Sequence, residues 1–325
     1  MANQFSFFFG IELELLIGSR SKSHKSWKSL ASEVSSKLKK AGIANHVNEG
    51  NDKSLENYEE WSVVQEVTVP SQPGKNLWGV ELVSPIYDLT TPWEVHLSLI
   101  FKTLKSSFTL SSSSNTSTHV HLSTSPPLPP SYLGALAKSI LYFEPAIDLL
   151  LPPARASSYW CQSNHDNTSL KSLTLPECFE YLDYCSDAND VARAMCSFPA
   201  KSAYGRANGY SEDFVHGVYK WDFSGLVDPS ACLSSNPSPS GTLEFRQCPG
   251  SGSADEARTW LLLALAFVAG AIDGAGTLDP DAPVAMEDLW WPISCGLQSL
   301  GMAGGDTRGV EKLFSGSKKA KGVRK

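Results

Sequence analysis

The amino-acid sequence predicts an α+β protein built on an antiparallel or mixed sheet, and three observations carry that prediction. Three well-separated segments, FGIELEL, THVHLS and TLEFRQ, alternate polar and apolar residues with the two-residue period of a strand. Other stretches, such as WKSLASEVSSKL, repeat apolar residues at helical spacing. Strands and helices also alternate irregularly and include a hairpin, unlike the strict alternation that builds a parallel sheet.

Taken in order, residues 5–17 read as a first central strand. Residues 26–41 place Trp27, Leu30, Val34 and Leu38 on one helical face and stop at Gly42. Residues 43–47 give a second strand and 48–60 a polar loop. Residues 61–69 and 78–84 are strands joined by the turn SQPGKN. A helix over 92–105 is opened by Thr91 as cap with Pro92 at its first position. The serine run 106–117 reads as a mobile loop before the histidine strand. A helix follows over 131–151, then a loop-rich region over 152–175 and helices over 176–184 and 187–195. Strands over 217–223 and 241–247 flank a turn-rich segment, and helices over 254–272 and 284–300 complete the pattern. This predicts one domain over residues 1–305 and a basic, disordered tail over 306–325, with no internal repeat.

The chain has 325 residues, 42% of them hydrophobic, enough for a substantial core. A net charge of −7 argues against a nucleic-acid groove. Its seven cysteines are an odd count without a CxxC, which points to a reduced, cytoplasmic setting and not to a disulfide framework. The early apolar run is interrupted by Glu12 and Glu14, so no secretory signal is expected, and the sequons at Asn115 and Asn167 are expected to be silent. The apolar segment from Trp260 to Ile272 is too short to cross a bilayer, so no membrane partner is expected.

The three strand-like segments carry paired functional side chains at i and i+2: Glu12 and Glu14, His119 and His121, Glu244 and Arg246. Each pair projects from one strand face, with apolar neighbours on the other. A single pair reads equally well as the solvated face of an edge strand. Three pairs of metal- or phosphate-binding type in hydrophobic runs read instead as a polar sheet face built for chemistry, because carboxylates in such runs need cations or partners.

In this order, FGIELE, the strand from Trp61 towards Glu66, GVELVSP, THVHLS, YFEPAIDLL, Arg155, WDF and GTLEFRQ resemble the amidoligase family. That family is a branch of the glutamine synthetase and glutamate–cysteine ligase superfamily of carboxylate–amine ligases. The resemblance implies a catalytic domain in which a curved, mainly antiparallel sheet, packed with helices, forms a glutamine-synthetase-like funnel. It also implies an ADP-forming ligase that joins a small-molecule carboxylate to an amine through an acyl phosphate, with ATP and two or three Mg²⁺ or Mn²⁺ ions.

On that resemblance, Glu12, Glu14, Glu66, Glu81, His119 and Glu244 are metal ligands. Glu12 and Glu14 divide between two metal positions, Glu66 and Glu81 close one, and His119 with Glu244 completes another. His121 donates to a phosphate oxygen, and Arg246 stabilises the transferring phosphoryl group. Arg155 binds the acid or the phosphate, and Asp222 lies on the amine side. The catalytic set is then Arg246, His121, Glu66 and Arg155. Three features depart from the family pattern. Glu66 stands in QEVT where relatives carry Asp then Ser, Asp222 replaces the Asn of WNF, and Ser117-Thr118 precedes the histidines where a Gly is common.

Other roles are open to these residues. Glu81 could pair with a lysine, His121 could be a structural donor, Arg155 a surface arginine, and Asp222 a turn cap. Two other functions compete: a metal-dependent hydrolase using His119 and His121, and a non-catalytic descendant that binds a nucleotide or metabolite. The sequence names neither the acid nor the amine and does not indicate the oligomeric state.

Overall fold

The first strand follows directly from its alternation. β1 (Ser6–Ser19) buries Phe7, Phe9, Ile11, Leu13 and Leu15 on one side, with the even-numbered residues on the other. The computed structural model describes residues 4–50, 52, 54–227, 240–274, 278–302 and 307–321. They form two compact units. An N-terminal unit comprises Phe8–Val120 and Cys248–Leu261, and a C-terminal unit comprises Met1–Phe7, His121–Gln247 and Leu262–Lys325. The architecture is mixed α+β with mainly antiparallel pairing, and the sheet is not closed.

In the N-terminal unit, β1 lies between β4 (Trp78–Val83) and the first part of β7 (Ser117–Ser125), and β3 (Trp61–Gln65) and β2 (Asn45–Val47) continue outward from β4. Pairing is antiparallel for β1–β4 and β3–β4 and parallel for β2–β3. The expected hairpin is therefore present. Helix α1 (Trp27–Lys40) buries Trp27, Leu30, Ala31, Val34 and Leu38, and the Ser26 side chain accepts a hydrogen bond from the Ser29 amide as its N-terminal cap. Lys37, Lys39 and Lys40 sit in its last turn, where positive charge complements the helix dipole.

Three expectations change here. Helix α2 (Trp93–Ser107) is preceded by Pro92 as its cap residue, while the Thr91 hydroxyl donates to the Asp88 carbonyl at 2.6 Å. The serine run is not simply a loop. Phe108–Ser111 form β6, paired antiparallel with β1 from Ser19 to Leu16, with Phe108 fully buried. One core aromatic outweighs the polar composition around it. Finally, β3 ends at Gln65, short of Val69, because residues 66–69 turn back over Gly79. A Cβ on Gly79 would lie 2.5 Å from the carbonyl oxygens of Glu66 and Val69, so only glycine admits this turn.

In the C-terminal unit, β10 (Trp221–Asp222) pairs antiparallel with β11 (Leu243–Pro249), which in turn neighbours β7. The strand expected over 217–223 is thus reduced to its last part. A separate pair joins β8 (Ser197–Phe198) to β9 (Phe214–Val215). Helices α3 (Pro130–Asp148), α4 (Pro153–Ala156), α5 (Leu175–Asp183), α6 (Ala188–Cys196), α7 (Ala203–Ala207), part of α8 (Ala254–Asp273), α9 (Met286–Ser299) and α10 (Arg308–Lys321) complete the unit. Residues 308–321, expected as a disordered tail, are helical. Val310 and Phe314 are buried, and the Phe314 ring meets that of Trp290 at 4.9 Å. The rest of the expected tail (residues 306 and 322–325) and most of the turn-rich segment (228–239) lie outside the described residues. No helix among the described residues is long and apolar enough to cross a membrane.

The C-terminal unit buries a charged cluster. Lys220 Nζ lies 3.0 Å from Glu144 Oε1 and 2.8 Å from Asp148 Oδ1, with its own side chain only 2% exposed. Removing one partner of such a cluster leaves uncompensated buried charge. Lys220→Met is therefore expected to lower unfolding stability by on the order of 3 kcal/mol, measured by denaturant titration. A loss within a few tenths of wild type would show the cluster to be energetically idle.

Candidate functional site

The N-terminal unit collects Glu12, Glu14, Glu66, Glu81 and His119. Glu14 and Glu81 are direct cross-strand partners on β1 and β4, and Glu12 lies diagonal to Glu81 on the same face. Glu66 follows the end of β3 two residues after Val64, which itself opposes Glu81, so Glu66 continues that face. Donor atoms of Glu14, Glu66 and Glu81 all lie within 4.8 Å of one another, as do those of Glu12, Glu81 and His119. Glu81 belongs to both groups.

Hydrogen bonds fix several members. The Ser117 amide donates to Glu14 Oε2 at 2.8 Å, and the Ser117 hydroxyl lies 2.8 Å from His119 Nε2. His119 Nδ1 is 3.0 Å from Glu12 Oε2, and its Nε2 is 3.5 Å from Glu14 Oε1. Glu66 Oε1 accepts from both the amide and the hydroxyl of Thr68 at 2.5 Å. Ser117, noted from the sequence only as a departure from the family pattern, and Thr68, given no role there, hydrogen-bond the clustered side chains. Each sits two positions from a recognised residue, and that spacing was the available signal.

Charge crowding shows in the acids themselves. Burial lifts the Glu81 carboxyl well above its ordinary value, and the negative charges of Glu12, Glu66 and Glu14 push it further. Burial and Glu14 also raise Glu66, while Thr68 and His119 pull the other way. The donor set is therefore four carboxylates and one imidazole, with more negative charge than its surroundings neutralise. Hard oxygen donors around concentrated negative charge suit Mg²⁺ or Mn²⁺. Oxygens on one such octahedral ion are separated by about 3–4 Å, a range compatible with donor atoms that all lie within 4.8 Å of one another. The residues fit the implied cations.

The C-terminal unit carries the remaining candidates. His121 Nε2 lies 3.7 Å from Glu244 Oε1, and its Nδ1 is 3.1 Å from the Thr242 hydroxyl, a partner the sequence reading missed. Arg246 Nη1 donates to Glu244 Oε1 at 2.5 Å. Asp222 opposes Glu244 across β10 and β11. Its Oδ1 accepts from the Ser224 amide at 2.7 Å, so it does cap a turn. Burial raises the Asp222 carboxyl, Glu244 adds to the shift, and Arg246 opposes it. Arg155 is buried rather than on the surface. Its Nη2 donates to the Arg246 carbonyl at 2.7 Å and its Nε to the Gln247 carbonyl at 3.2 Å.

An open, mainly antiparallel sheet with a half-buried, acid-rich face on its first strands defines an α+β protein with clustered carboxylates. The chain belongs to the amidoligase family. The family model described as "Putative amidoligase enzyme" matches residues 6–268, most of the chain and every candidate site residue. That family name denotes enzymes that form amide bonds and places this chain among ligases acting on small molecules. No curated protein matches the chain.

Proposed function

We propose that the protein is an ATP-dependent carboxylate–amine ligase that makes an amide through an acyl phosphate and releases ADP and phosphate. The observation that supports this best is the pair of acid clusters sharing Glu81, in a chain of the amidoligase family. A simple structural sheet face would not concentrate four carboxylates whose charges oppose one another. Mg²⁺ or Mn²⁺, when bound, would offset the charge of the nucleotide phosphates.

The chain's own residues then have distinct tasks. Glu12, Glu14, Glu66, Glu81 and His119 would hold the cations. A substrate carboxylate oxygen attacks the γ-phosphorus of ATP and the bond to ADP breaks. Arg246 stabilises charge on the phosphoryl group in transit with its planar fork, and His121 donates to a phosphate oxygen. The bound ammonium first loses a proton to solvent; the neutral amine nitrogen then attacks the acyl carbon, phosphate leaves, and the second nitrogen proton passes to the released phosphate. Asp222, an acceptor-only group where relatives carry Asn, favours a cationic amine before that step.

The test is phosphate release from ATP and Mg²⁺ with pooled acids and amines. Release that requires both an acid and an amine is the expected result. Release that proceeds equally without any amine would favour a hydrolase. Saturating Mg²⁺–ATP is also expected to raise the melting temperature, because it binds the folded state. An unchanged melting curve would count against nucleotide use.

A further inference from the structure

Within the C-terminal unit, the main chain of β11 on either side of Arg246 is gripped by buried polar side chains. Arg155, on the short helix α4, donates Nη2 to the Arg246 carbonyl at 2.7 Å and Nε to the Gln247 carbonyl at 3.2 Å. The Gln247 side-chain amide donates to Asp148, whose carboxylate accepts from Lys220 Nζ at 2.8 and 2.9 Å. Lys220 also reaches Glu144, and the Lys220 carbonyl accepts from the Arg246 amide at 2.9 Å. The network continues through Asn164. Its amide donates to Glu144 Oε2, while its side chain donates to the Trp221 carbonyl and accepts from the Trp221 amide.

Both main-chain polar groups of Arg246 are thus committed to this frame, its amide to Lys220 and its carbonyl to Arg155. The anchors are charged and buried: Lys220 is 1% exposed and Arg155 6%. A cation that bonds two successive carbonyls fixes the strand on which the next functional side chain is mounted. Two of its nitrogens, Nε and Nη2, are committed to main chain. The thiol of Cys161 donates to the Arg155 carbonyl at 3.1 Å, which ties the helix bearing Arg155 to the segment that follows it.

We infer that Arg155 is a positioning residue that acts on phosphoryl transfer through Arg246, by clamping the Arg246 and Gln247 carbonyls, and that the Lys220–Asp148–Gln247 chain is the other half of the clamp. This rests on the ligase reading for what Arg246 does, and on the geometry alone for how Arg246 is held. It removes Arg155 from the residues that touch acid or phosphate.

The experiment is a double-mutant cycle with Arg155→Met, Arg246→Met and the double variant, read by calorimetric binding of the non-hydrolysable probe Mg²⁺–imido-ATP. Hydrogen exchange of the β11 peptide is followed in parallel. Arg155→Met is expected to weaken the probe by about 10- to 100-fold, the range for lost outer-shell partners. The double variant is expected to bind no more weakly than Arg246→Met alone, because coupled residues are not additive. Exchange is expected to rise in β11. A double variant weakened by the full Arg155 factor would show an independent ligand contact and overturn the inference. So would unchanged β11 exchange in Arg155→Met. If the wild type does not bind the probe, the ligase reading fails, and β11 exchange still decides whether the clamp exists. Should Arg155→Met fail to fold, Arg155→Lys, which keeps the charge but loses the fork, serves the same comparison.

Discussion

Arg246→Lys is expected to slow phosphoryl transfer by on the order of a hundredfold or more at saturating ATP, by analogy with the loss of transition-state donors. The reason lies in what each side chain presents. Arg246 is mounted on β11 with its Nη1 on Glu244 Oε1, and its main-chain amide and carbonyl are both bonded. Lysine keeps the positive charge and can keep the ion pair to Glu244, so folding and metal dependence are expected to survive. It loses the planar, delocalised fork that can engage two phosphoryl oxygens together. The measurement is single-turnover phosphate release with Mg²⁺–ATP saturating, alongside a metal titration of the same variant. A normal rate would make the Glu244–Arg246 strand structural. The case for acyl-phosphate chemistry would then rest on the acid clusters of the N-terminal unit.

Where the sequence was legible, local periodicity governed the structure. The strand around Glu12 and Glu14, helix α1 and the hairpin of β3 and β4 each bury one continuous apolar stripe, and their positions follow from that stripe. β6 was not legible, because its burial depends on Phe108 pairing with distant Ser19 and not on its serine-rich surroundings. The tail helix was hidden in the same way. Two buried residues, Val310 and Phe314, the latter set against Trp290 of another helix, outweigh a polar and glycine-containing sequence.

The site shows a similar division. The i, i+2 pairs were readable because side-chain alternation is a local property of a strand. The pairing of Glu14 with Glu81 was not, because register is set between strands far apart in sequence. The shared position of Glu81 in both acid clusters follows from that register alone. The turn that seats Glu66 depends on Gly79 lacking a Cβ and on Thr68 bonding its carboxylate, neither of which leaves a periodic trace. Arg155 was recognised as a candidate, but its destination on two main-chain carbonyls could only be seen once the chain was folded.

Glu81→Gln is expected to have two effects of opposite sign, which makes it the sharpest test of the acid clusters. Burial and the neighbouring charges of Glu12, Glu66 and Glu14 hold the Glu81 carboxyl well above the 4.5 it would have unfolded. An acid raised in this way carries more protons folded than unfolded, so stability falls as pH rises from the unfolded value through the folded one. Metal-free protein is therefore expected to lose melting temperature as pH rises above the unfolded value of 4.5 into the alkaline range, and Glu66, raised in the same direction, adds to the slope. Glutamine keeps the shape and removes the charge, so metal-free Glu81→Gln is expected to melt higher than wild type at the alkaline end, with a flatter pH profile. It also removes the one ligand common to both clusters. Wild type is expected to gain roughly 2.7 kcal/mol from Mn²⁺ at a hundred times its Kd, most visibly at higher pH where the carboxylates are ionised, and the variant little or nothing. Thermal denaturation with and without Mn²⁺ across that pH range reads both effects. A variant that melts no higher than wild type without metal, yet responds to Mn²⁺ as wild type does, would remove Glu81 from the centre of the site.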